Sequence, residues 1–281
     1  MVRARSLRYR ELMNAAIFTA LDGTLLDFDT FDAGASRPLL QRLCAAGVPV
    51  IPISSMTLAE LEPIARELGM HHAMIIEAGG AIARWRNGAW EVEPCGPDAD
   101  VLLDVVAAVE AASGADLTVY SVLPEKEAAC LSGRSGAMLR GSTERCFSEP
   151  FIVERGEIAD VARAASALGF EVRRGARFFH LCRLDAEGVA FSRVRDELGC
   201  DFTIGIGGSP LDAEFLLRSD VPILVPRPNG ELDPELRAAL PDARIAPAPG
   251  SAGWAAAVEE AWRLLPGKAS ARARRPLPSR T

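Results

Sequence analysis

Asp22 closes an apolar run, Ala15 to Leu21, and opens the turn Asp22-Gly23-Thr24. A carboxylate at the carboxyl end of a buried strand stands where open α/β sheets gather their ligands, and it can act there as a general acid and base. Gly23 permits the turn that follows it. Two places before Asp22 the residue is Ala20, whose methyl group can form no covalent intermediate. A second run, Val50-Ile51-Pro52-Ile53, ends in the paired hydroxyls of Ser54 and Ser55, and Thr57 and Glu60 have the spacing of a capping box. A third, Thr203 to Gly207, continues through Gly208-Ser209-Pro210-Leu211 to Asp212, again a strand, a glycine turn and a helix start. Its glycines lack the Gly-x-Gly-x-x-Gly spacing of a dinucleotide loop. Arg145 and Arg177 offer fork geometry to a carboxylate or phosphate. His180, between Phe179 and Leu181 on an apparent strand, reads as a packed histidine.

The elements that must position these groups alternate. Strands are expected at 15–21, 48–53 and 73–76, with helices near 37–46 and 57–69 between them, the rhythm of parallel strands joined by crossover helices. A hairpin, Ala81 to Trp85 and Ala89 to Val92, turns about Arg86-Asn87-Gly88. Pro94, Gly96 and Pro97 then mark a boundary. Beyond it the pattern is mixed: helices 99–112, 125–140 and 157–168, and strands 150–154, 170–174 and 177–183. The βα rhythm resumes with helix 187–198, strand 202–206, helix 210–218, strand 221–225 and helix 252–265. The fold class this implies is α/β, a Rossmann-like parallel-sheet core domain interrupted by an inserted α/β cap domain. The expected division is core 14–94, cap 95–183 and core 184–265, with a basic N-terminal extension at 1–13 and a basic disordered tail at 266–281. Met13, directly before the first strand, reads as an alternative translation start.

The chain has 281 residues, 49% of them hydrophobic and 25% charged, enough for one large domain or two modest ones. No apolar stretch reaches the roughly 18 residues of a membrane-spanning helix, and no signal segment is expected. The net charge is −7, and the two basic ends contribute +3 and +5, so about −15 falls on the body, which argues against nucleic acid as its partner. The six cysteines include no Cys-x-x-Cys pair, so buried thiols in a reducing cytoplasm are expected rather than zinc or disulfides.

The run Ala20-Leu21-Asp22-Gly23-Thr24 resembles the first motif of the haloacid dehalogenase superfamily, Asp-x-Asp-Gly-Thr, in which the first Asp attacks phosphorus and the second protonates the leaving oxygen. Arg145-Cys146-Phe147-Ser148-Glu149-Pro150, Arg177-Phe178-Phe179-His180 and Glu77-Ala78-Gly79-Gly80 are similar to segments of the mannosyl-3-phosphoglycerate phosphatase family within it. The resemblance covers nearly all of 14–265. It implies magnesium-dependent phosphomonoester hydrolysis, a phosphorylated sugar-glycerate ligand, phosphate contacts from Gly23, Thr24, Ser54 and Ser55, and substrate contacts from Arg145, Ser148, Arg177 and His180.

Departures fall on the reacting groups. The nucleophile position is Ala20, a direct magnesium-ligand position is Gly208 with only Asp212 retained, and Glu187 in Asp185-Ala186-Glu187-Gly188 stands where the resemblance places a lysine. Ala78 replaces an Asn and Met56 a Lys, while Arg183 could reach the site. Weak or absent magnesium binding is expected, together with a catalytically impaired phosphatase-like protein that keeps a ligand-binding or regulatory role. The alternative is an active sugar-phosphate phosphohydrolase of divergent mechanism that uses Asp22.

Overall fold

The computed structural model describes residues 15–175 and 177–264; the basic ends expected at 1–13 and 266–281 lie outside the described residues. The chain begins with β1 (Ala15–Thr19), α1 (Arg37–Ala45), β2 (Val50–Pro52), α2 (Leu58–Leu68) and β3 (Ala73–Ile76). The hairpin β4 (Ala81–Arg86) and β5 (Ala89–Pro94) follows, its Asn87-Gly88 turn having positive φ at both residues, as a two-residue turn between twisted strands requires.

The inserted segment contains α3 (Ala99–Ser113), β6 (Asp116–Val119), α4 (Glu125–Ser132), α5 (Gly136–Thr143), β7 (Glu149–Arg155), α6 (Ile158–Ala167), β8 (Phe170–Arg174) and β9 (Phe179–Arg183). Its four strands form an antiparallel sheet in the order β6-β7-β9-β8. Leu102, Val106, Val109, Phe151, Val161 and Leu181 pack into a core of its own. The chain then returns through α7 (Ala186–Leu198), β10 (Phe202–Gly207), α8 (Ala213–Arg218), β11 (Val221–Leu224), α9 (Pro234–Ala239), β12 (Arg244–Ile245) and α10 (Gly250–Leu264).

Strands β12-β11-β10-β1-β2 make one parallel sheet, with β1 paired to β10 on one side and β2 on the other. A central parallel strand is covered on both faces, which is why Ala15–Thr19 is buried at every position. Alternate side chains feed two apolar layers: Ile17 joins Leu40, Val50, Ile206 and Trp254, whereas Ala16 and Phe18 join Ile51, Phe191 and Phe215. Pro52 sits on an edge strand, where a missing N–H is tolerated. This is the α/β architecture of a parallel-sheet core carrying an inserted cap.

Most of the expected elements are present, within a few residues of the stated bounds. Three were not expected: β6, only four residues with two apolar positions; α9, six residues behind an Asp233 cap; and the two-residue β12. The expected helical stretch 125–140 is two helices, because Gly133, at φ +70°, ends α4 in the left-handed conformation.

Candidate active-site cleft

Ala20 follows β1 and hydrogen-bonds through its N–H to the Ile206 carbonyl at 2.9 Å, which fixes the end of the strand against β10. Behind it the Thr19 hydroxyl donates to the Ala20 carbonyl at 2.7 Å and accepts from the Trp254 indole at 2.9 Å. The turn is then forced around Gly23, at φ +67°. Asp22 is thereby held at the mouth of a cleft of about 300 Å³ that Phe28, Arg174, Gly208, Ser209 and Arg227 also line. Asp22 Oδ1 and the Thr24 hydroxyl are buried and make no hydrogen bond. Burial pushes the Asp22 carboxyl above its ordinary range, against the opposing pull of Arg134 and Arg177.

Both of those arginines belong to the cap. Arg134, 8% exposed in the link between α4 and α5, places Nε 2.7 Å from Glu60 Oε1 and Nη2 3.6 Å from Asp22 Oδ2. Glu60 is fixed in turn: it closes the capping box of α2 with Thr57, whose hydroxyl donates to the cap carbonyl of Gly141 at 2.8 Å. Arg177 lies over the Phe28 ring at 4.1 Å and donates to the Phe28 carbonyl at 2.6 Å. Its Nε is buried without a hydrogen bond, and burial lowers its pKa. Arg177 was singled out in the sequence. Arg134 was not: Gly133-Arg134-Ser135 carries no periodicity or spacing that distinguishes it from a solvated loop.

The remaining sequence-selected groups are distributed more widely. The Ser54 hydroxyl accepts from the Met56 N–H at 3.1 Å, and the Ser55 carbonyl accepts from Arg145 at 2.6 Å. Arg145 also donates to the Ser142 and Ser148 carbonyls and to the Ser148 hydroxyl, so its fork is committed to joining cap and core. Glu77 completes that joint, accepting from the Cys146 and Phe147 N–H groups and from Ser148. His180 is buried, and its pKa is pushed down to about 3 by burial and by Arg145 and Arg134, so it is a neutral packed ring. Arg183 donates to the Cys95 carbonyl at 3.0 Å, an exposed contact outside the cleft lining. The structure thus gathers Asp22, Gly23 and Gly208 on one cleft, with Thr24 beside Gly208, and sets Ser54, Ser55, Arg145, Ser148, Arg177 and His180 outside its lining.

The donor set for the magnesium implied by the resemblance is poor. Magnesium takes near-octahedral oxygen ligands, usually with one or two carboxylates among them. Ala20 and Gly208 supply none, Asp22 faces a guanidinium, and Asp212 Oδ2 accepts from the Gly208 and Ser209 N–H groups at 2.8 and 2.7 Å and from the Ser209 hydroxyl. A Cβ built on Gly208 would lie 2.9 Å from the Val225 carbonyl oxygen, so the neighbouring backbone has closed over the space a side chain there would need. Among the described residues, no group of three or more His, Cys, Asp and Glu side chains is placed to hold a metal ion. Glu187 points into a pocket of like charge, near Asp212, Glu214 and Glu171, with Arg173 as the nearby cation.

No family model matches the chain. The glucosyl-3-phosphoglycerate/mannosyl-3-phosphoglycerate phosphatase of Persephonella marina is 30% identical over 267 residues, which cover 89% of this chain and 96% of that one. The protein of the same name from Methanococcoides burtonii is 30% identical over 260 residues, covering 86% and 95%. A haloacid dehalogenase-like hydrolase of B. subtilis matches in fold, with a TM-score of 0.65 over 90% of this chain and 100% of its own, at 14% identity. A likeness in sequence that runs almost end to end, on a core-and-cap fold with Asp22-Gly23-Thr24 at the strand end, makes this chain a member of the glucosyl-3-phosphoglycerate/mannosyl-3-phosphoglycerate phosphatase family.

Proposed function

We propose that this chain is a phosphatase-like protein that binds an anionic, hydroxyl-rich ligand of the sugar-phosphoglycerate class without hydrolysing it by the covalent route of its superfamily. The observation that carries the reading is Ala20: the buried position directly after β1, two residues before Asp22, has no atom able to bond to phosphorus. Gly208 and Glu187 support it, because groups that act as a unit lose their value together. In this reading residues 14–94 and 184–265 act as the core and 95–183 as the cap that closes over the ligand. No helix among the described residues is long and apolar enough to cross a membrane. The free cysteines favour a reducing cytoplasm, and the acidic body disfavours nucleic acid.

A divergent hydrolase is the competing reading, favoured by one observation: Asp22 is buried with its pKa raised and one oxygen unpartnered, the state of a proton donor. A phosphate-release assay on mannosyl-3-phosphoglycerate with magnesium separates the two. No turnover is expected from the unaltered protein or from Ala20→Asp. Turnover by the unaltered protein that Asp22→Asn abolishes would establish the competing reading instead.

A further inference from the structure

The cleft presents a set of polar atoms with no partner. Thr24, 1% exposed, has a free hydroxyl, and it lies 3.7 Å from where a Cβ on Gly208 would be, beside the cleft wall. Asp22 Oδ1 and, behind the Phe28 wall, Arg177 Nε are likewise buried and unbonded. Buried polar groups in folded proteins are nearly always satisfied, so three around one cleft edge call for a polar guest. Two guanidinium groups from the cap lie near Asp22, Arg134 with Nη2 3.6 Å from Oδ2 and Arg177 above Phe28 and close enough to oppose the rise in the Asp22 pKa.

We propose that Arg134 and Arg177 form a metal-independent seat for a phosphoryl group at the end of β1, supplying from the cap the positive charge that the core's donor set cannot recruit as a divalent ion. The inference rests on the ligand-binding reading above and deepens it. A guanidinium presents paired N–H donors to two oxygens of a phosphate and keeps its charge at any relevant pH. Glu60, in salt-bridge contact with Arg134 and held by the α2 cap, orients that side chain before a ligand arrives. Phe28 and Phe31 restrict the guanidinium of Arg177 in the same way, lying 4.1 and 5.3 Å from it. The cationic side chains that face Asp22 add to the misfit of magnesium and supply the fit of an oxyanion. The N–H groups of Gly208 and Ser209, already bonded to Asp212, leave the Thr24 hydroxyl and the Asp22 carboxyl as the core's own contacts to a guest.

The test is calorimetric titration of the full chain with inorganic phosphate and with 3-phosphoglycerate, in EDTA and again in excess magnesium chloride. Binding in EDTA is expected, with magnesium changing the affinity less than twofold. Arg134→Gln and Arg177→Leu are each expected to weaken binding at least tenfold. Arg177→Leu guards against misfolding, since Arg177 carries no ion pair to Glu60, and the melting temperature of each variant is recorded alongside. Absence of binding in EDTA, binding only with magnesium, or unchanged affinity in both folded variants would overturn the seat. Turnover of mannosyl-3-phosphoglycerate in the same samples would instead overturn the pseudophosphatase reading, so the two failures are distinguishable.

Discussion

Replacing Glu187 tests whether this buried carboxyl stores a charge conflict. Glu187 is 2% exposed and neither of its carboxylate oxygens makes a hydrogen bond. Burial first, then Asp212 and Glu214, hold its pKa well above the ordinary 4.5, and Arg173 only partly opposes them. Arg173 is already engaged by Glu214 at 2.6 Å and by the Pro210 carbonyl at 2.8 Å. The sign follows from proton counts. Between 4.5 and the raised folded value, the unfolded chain has released the Glu187 proton and the folded chain still holds it. The stability of the folded state therefore falls as pH rises through that window, by about 1.4 kcal/mol per pH unit, and levels off above the folded pKa.

Glu187→Gln removes this term. The variant and the parent should be nearly equal in stability near pH 4.5 and diverge at higher pH, the variant becoming the more stable by about 1.4 kcal/mol for each unit gained within the window. Every kcal/mol corresponds to roughly 2 to 4 °C in melting temperature for a protein of this size. Urea unfolding at pH 5, 6, 7 and 8, followed by tryptophan fluorescence, measures the difference, and Glu214, whose pKa is raised to about 7, contributes to both curves. Curves for variant and parent that run parallel across the range would refute the reasoning, because Glu187 would then titrate alike in the folded and unfolded chains. Glu187→Lys should also stabilise at neutral pH, since Asp212, Glu214 and Glu171 together form surroundings suited to a cation.

Other perturbations test the joint between cap and core. Glu77→Ala orphans the Cys146 and Phe147 N–H groups and the Ser148 hydroxyl and should cost about 3 kcal/mol or more, read by chemical denaturation. Thr57→Val removes both the cap of α2 and the bond to the Gly141 carbonyl. A loss of about 1 to 2 kcal/mol is expected, with faster proteolysis between Glu125 and Thr143. Gly208→Asp should destabilise by about 1 to 3 kcal/mol because its Cβ meets the Val225 carbonyl, and calorimetry should detect no stoichiometric magnesium binding to that variant. Wild-type stability and tight metal binding in Gly208→Asp would show that the turn after β10 accommodates a metal-binding carboxylate.

Much of the fold was legible because it is written locally. The apolar run at β1, the Thr57–Glu60 capping box and the Asn87-Gly88 hairpin each carry their instruction within a few neighbouring residues. The cleft position of Asp22 was equally legible, since a carboxylate after a buried strand and before a turn glycine has few other places to go. The short elements β6, α9 and β12 were not: none offers enough periodic positions to rise above the pattern of a loop, and each is stabilised by partners distant in the chain.

The site divides along the same line. Sequence alone determined that positions 20 and 208 carry no nucleophile and no side-chain oxygen, because alanine and glycine have neither in any fold. Only the tertiary structure decided what faces Asp22. The ion pair with Arg134 joins positions 112 residues apart and forms because α2 and α5 pack across the cap–core boundary, with Glu60 fixed between them. The same closure turned Arg145 from a candidate ligand contact into a strut between Ser55 and Ser148. A guanidinium has one set of donors, and which oxygens it meets depends on distances set by the packing of whole elements, for which local sequence has no term.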